Sequence, residues 1–182
     1  MTRALLDTLT EHTYSRSDFA YRLNLIREFL EFVFFTKRDV RASREVVGAF
    51  ASHSNNPTAD IAYLQSLPSS FLETFTQESF YATLDQLAEE CTQLQTLSLT
   101  LPVVLARADV DAIGVWARRN VSSSLMITVD IDRTVSVGCR IIWNNQLHDF
   151  GFDQYVTQHE TALRTSIHTK IEQSMSVAHP HT

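Results

Sequence analysis

The sequence predicts an α+β protein, with a helical bundle over residues 1–95 followed by a small α+β domain over 96–177 in the order strand, helix, hairpin, helix. Three observations carry this. Up to Gln95 the apolar residues recur at three- and four-residue steps, the period of a helix that buries one face. Beyond it Leu97, Leu99, Leu101 and Val103 alternate with Ser98, Thr100 and Pro102, the period of a strand, with Pro102 marking an edge or an end. Two more alternating runs, Leu125 to Ile131 and Val135 to Trp143, flank a short polar turn at Asp132, Arg133 and Thr134 and so read as a hairpin.

Taken in order, the first helix is expected at 3–12. The second runs from Ser17 to Lys37 with Phe19, Leu23, Ile26, Leu30 and Val33 as its stripe, and Ser15 with Asp18 three residues on forms a capping box at its start. Phe29, Phe32, Phe34 and Phe35 widen that stripe beyond one face. This helix is therefore expected at the centre of the bundle, with one aromatic edge left over to receive a partner helix. Shorter helices are expected at 43–53 and at 57–66, the latter opening at Asn56-Pro57, where the missing N–H of proline costs nothing. A longer one, 76–95, buries Phe80, Leu84, Leu87, Cys91 and Leu94 and turns Glu78, Asp85, Glu89 and Glu90 to water. In the C-terminal half an amphipathic helix is expected over Asp109 to Asn120. Asn144 and Asn145 tolerate a left-handed backbone and end the second hairpin strand. A closing helix runs from Phe152 to Met175 with Asp149 as its cap, and Ser174 to Thr182 loses periodicity and is expected to fray, residues 178–182 forming a tail.

Composition narrows the function classes. With 182 residues and 44% hydrophobic content the chain can bury a full core, and only 4 Gly and 4 Pro favour long helices over a loop-rich surface. A formal net charge of -6 disfavours a nucleic-acid partner, which requires a basic face. Lys37, Arg38, Arg41 and Arg44 form a local basic group that reads as a solvated rim at an inter-helix turn. Cys91 and Cys139 are too few and too far apart for a disulfide framework, and acidic Asp7 and Glu11 interrupt what would have to be the apolar core of a signal peptide, so a cytoplasmic compartment is expected. The most apolar run, Phe29 to Phe35, is too short to span a bilayer and contains Glu31.

No constellation for chemistry emerges. There is no glycine-rich phosphate loop, and Ser122-Ser123-Ser124 lacks the strained, glycine-flanked turn of a nucleophile. His148, His159, His168, His179 and His181 have no partner at metal-ligand spacing on a helix. Asp130 and Asp132 share a strand face but lie at its solvated end, with Arg140 on the next strand as a pairing partner. Neither metal nor cofactor is expected.

From Asp132 to Asp149 the residues resemble a family, the δ subunit of bacterial F-type ATP synthases, called OSCP in mitochondria. Its members carry an Asp, a hydrophobic pair, a Gly-Gly or Ala-Gly step, an aliphatic strand, and Ile-Asp-Gly-Ser leading into the last helix. Asp132, Val135, Gly138, Ile141 and Asp149 fall on that pattern without a gap, while Val137 and Cys139 depart from it and Phe150-Gly151 stands where Gly-Ser is usual. The resemblance covers about residues 96–177. It implies a subunit without an active site, peripheral on the cytoplasmic side of the plasma membrane and reaching the membrane only through partners. In that family the helical domain receives the N-terminal helix of a head α subunit and the C-terminal domain binds the b-subunit stalk. It also implies structural roles for Asp132, Gly138 and Asp149. Partner contacts would then fall on the phenylalanines of the second helix, Phe29, Phe32, Phe34 and Phe35, and on Phe152 and Tyr155. The alternatives are a stator-like subunit of a V-type or flagellar export ATPase, whose long charged coiled coil this chain lacks, and an unrelated small cytoplasmic α+β protein, including an enzyme with a pocket between its halves.

Without a phosphate loop or an activated nucleophile, the purified protein should turn over neither ATP nor simple esters in steady-state assays at micromolar enzyme. Turnover that co-purifies with the chain and vanishes on a single substitution would contradict this.

Overall fold

The computed structural model describes residues 2–38, 44–53 and 57–177. Among the described residues eight helices and four strands follow in chain order: α1 (Thr2–Thr10), α2 (Arg16–Phe35), α3 (Arg44–His53), α4 (Thr58–Ser66), α5 (Ser69–Leu72), α6 (Phe80–Thr92), β1 (Thr96–Leu101), α7 (Arg107–Asn120), β2 (Met126–Ile131), β3 (Arg140–Trp143), β4 (Gln146–Asp149) and α8 (Phe152–Val177). The class is α+β. Two compact units form, one from Met1–Thr96 with Ala106–Thr128 and the other from Leu97–Leu105 with Val129–Thr182.

In the first unit α2 is the core element. Phe19, Leu23, Leu25, Ile26, Phe29, Leu30 and Val33 are buried along it, and α3 and α6 pack against it, with α1 on α6 and α4 on α3. Its ends are well determined. The Ser15 hydroxyl accepts the Asp18 N–H at 3.1 Å, and at the other end Lys37 adopts φ 54° while the N–H groups of Lys37 and Arg38 bond the carbonyls of Phe34 and Val33. That is a Schellman closure with lysine in the position glycine usually takes. The short α5, absent from the sequence reading, buries Phe71 and Leu72, and α6 begins at Phe80 rather than near 76 because Thr76 to Ser79 turn instead.

Helix α7, expected with the C-terminal domain, groups with the bundle. Gly114 permits it: a Cβ there would meet the Tyr14 side chain at 2.3 Å. One turn on, Arg118 lies over the Tyr14 ring at 4.7 Å and donates to three carbonyls, those of Leu125 (2.9 Å), Thr13 (2.7 Å) and Thr10. The Ile127 N–H bonds the Tyr14 carbonyl at 2.7 Å, and Met126 joins the hydrophobic core.

The sheet order is β2-β1-β3-β4. Bonds from Met126 N–H to Gln95 O and from Asp132 N–H to Leu101 O advance together along β1 and β2, so these two run parallel with α7 as their crossover. This corrects the expected hairpin between 125–131 and 135–143. Alternation marks a strand without naming its neighbour, and the polar turn at 132–134 leads away from β2. The hairpin is β3–β4, where Asn144 (φ 50°) and Asn145 (φ 60°) form the two-residue turn and Trp143 faces Gln146. Residues 135–139 are not a strand, although Phe150 N–H to Cys139 O and Phe152 N–H to Val137 O, both 2.8 Å, extend the pairing beyond β3. Helix α8 continues past the expected fraying point to Val177, whereas His179, His181 and the rest of 178–182 lie outside the described residues, as do Arg41 and Asn56.

Arg118→Met keeps the apolar stem but leaves three carbonyls without their charged donor, so it should destabilise the chain by about 2 to 3 kcal/mol, the range for hydrogen bonds to charged groups. A urea melt of the full chain measures this, and a shift under about 0.5 kcal/mol would show the fork to be dispensable.

Candidate docking surfaces

The second unit gathers the three residues of the sequence motif into one arrangement. Asp132 begins the connection between β2 and β3, and its Oδ1 accepts the Thr134 hydroxyl at 2.6 Å and the Thr134 N–H at 2.8 Å. Arg140, at the start of β3, bridges the two carboxylates, with Nη1 on Asp132 and Nε on Asp149, each at 3.2 Å. These bonds, the Thr134 hydroxyl foremost, then the Thr134 amide and the Arg140 charge, hold the Asp132 carboxyl below its ordinary pKa. Asp149 Oδ1 takes the Gly151 N–H at 2.7 Å. It therefore anchors the turn before α8 instead of capping a helical N–H as expected. Gly138 has φ 105°, and a Cβ at that position would lie 2.2 Å from the Phe150 carbonyl oxygen. Only glycine fits.

Around this frame the second unit exposes much apolar surface. On the hairpin Ile142 pairs across to Leu147, which is 61% exposed on the edge strand β4, and Phe150, stacked on His148, is also exposed. Along α8 from Phe152 to Glu172 only Val156 and Leu163 are even half-buried. Phe152 and Tyr155 stand exposed, Tyr155 stacked on His159 at 4.4 Å. Ile167 and Ile171, one turn apart on the same helix, were missed although their i, i+4 spacing was readable. Leu147 was missed because β4 is too short to show a period.

The phenylalanines of α2 divide differently from expectation. Phe29 is fully buried with its ring edge-on to Phe50 at 5.5 Å, so it belongs to the core and not to a docking surface. Phe32 and Phe34 are half-buried against the core, on Phe50 and Phe80, and Phe35 alone is open, at 75%. Helices α3 and α6 both pack on α2, and Phe50 and Phe80 from them take up Phe32 and Phe34, so that only Phe35 of the aromatic edge stays open. The bundle instead offers a shallow groove of about 210 Å³ between α1 and α5, lined by Ala4, Leu5, Thr8, Pro68, Ser70, Phe71 and Thr74. None of the described residues that line it is charged.

Among the described residues no three His, Cys, Asp or Glu side chains come together as a metal would need, and no helix is long and apolar enough to cross a membrane. Both cysteines are free, and burial pushes the Cys91 thiol up, away from a reactive thiolate. No protein-family model matches the chain, and no curated protein matches it either.

Gly138→Val forces a side chain against backbone in a left-handed conformation, and a loss of about 2 to 4 kcal/mol in a thermal or urea melt is expected, whereas Gly48→Ala, where a Cβ meets open space, should be neutral or better. The Asp132 pKa is lower folded than unfolded, so its contribution is complete above the unfolded carboxyl value of about 3.9 and fades as the pH falls through the folded value. The melting-temperature gap between the wild type and Asp132→Asn should hence be constant above about pH 5 and close below about pH 3.9. A gap independent of pH would show that the carboxylate charge is not what matters.

Proposed function

We propose that the chain is a stator subunit of the δ/OSCP type, a protein without catalysis of its own that ties the head of a rotary ATP synthase to its stalk and resists the torque of the rotor. The observation that carries this reading is the agreement between the resemblance and the geometry at the same residues. Asp132, Gly138 and Asp149, which the family pattern picks out, are held around Arg140 and the Phe150 carbonyl in a way that needs those residue types. A helical bundle precedes them, as the family requires.

A tether needs two docking surfaces and no pocket for chemistry. On the bundle, the uncharged groove between α1 and α5 suits the apolar face of an amphipathic helix, and we assign the head's α-subunit N-terminal helix to it. This replaces the α2 phenylalanines, three of which are engaged with the core. On the second unit, Ile142, Leu147, Phe150, Phe152, Tyr155, Ile167 and Ile171 leave apolar area uncovered on the hairpin and α8, which we assign to the b-subunit stalk. Each large side chain that becomes buried there contributes about 1.5 to 3 kcal/mol. Such surfaces bind through a few central anchors, so single polar substitutions discriminate between them.

Calorimetric titration of the full chain against a peptide of the head α-subunit N-terminal helix and against the C-terminal segment of the b stalk tests the assignment. Both should bind at once. Ala4→Glu should weaken the first by at least tenfold and leave the second unchanged, and Phe152→Asp should do the reverse. Binding of neither peptide, or normal attachment of head to stalk in cells lacking the protein, would defeat the stator reading; binding with both substitutions silent would defeat only the placement of the surfaces.

A further inference from the structure

We draw no further inference here: the strongest candidate, the pocket of about 260 Å³ beside the start of α4 lined by Asp18, Tyr21, Arg22, Asp60, Tyr63 and Arg107, carries nothing because its two guanidinium groups and two carboxylates balance one another and nothing in the structure points to a ligand.

Discussion

The guanidinium of Arg118 is the contact on which the build of the first unit rests. Three carbonyls from separate segments converge on it: Thr10 at the end of α1, Thr13 in the link to α2, and Leu125 just before β2. Each lies where the chain leaves a regular element; the Thr10 carbonyl also takes the Thr13 N–H at 3.2 Å, and losing the charged donor common to all three would cost stability. Arginine suits the task where lysine would not, because its planar fork reaches several acceptors in fixed directions while its face stacks on Tyr14. Burial lowers its pKa, but an arginine begins so high that it keeps its charge. The partner condition is Gly114 on the same face of α7, which lets the helix come close enough for the fork to reach.

From this follows the division of the chain. Helix α7 and the first residues of β2 are held to the α1–α2 link, Met126 enters the core of the bundle, and the parallel crossover that α7 makes sets β2 beside β1. The second unit is built on other means. It has a short hairpin whose left-handed turn is supplied by two asparagines, a glycine where the chain touches its own carbonyl, and one arginine between two aspartates. Its apolar burial is slight beside that of the bundle, where Ile26, Phe29, Leu30, Val33, Leu84 and Leu87 are wholly enclosed.

That contrast bears on function. A 26-residue helix with two half-buried side chains along its described length gains little from its own domain, and isolated helices of that kind are held mainly by packing. Apolar area is left exposed at Phe152, Tyr155 and Ile167, on the face that the proposed stalk contact would use. The groove between α1 and α5 is its smaller counterpart on the bundle.

What the sequence determined by itself are the features encoded locally. Ser15 and Asp18 marked the start of α2, the three- and four-residue spacing its buried stripe, and the asparagine pair a reversal, while charge alone offered Arg140 as a partner for Asp130 or Asp132 without choosing between them. Gly138 and Asp149 were legible as special positions, though not what they touch. Tertiary structure alone decided which strand lies beside which, since alternation is the same for a parallel and an antiparallel neighbour and the choice depends on where α7 returns the chain. It also decided that Phe29 is core, because only the approach of α3 and α6 determines which side of a wide apolar stripe remains open. And it decided the side of the division on which α7 falls: Gly114 and Arg118 of that helix meet the distant Tyr14 only once the fold exists, and no period in the sequence records that meeting.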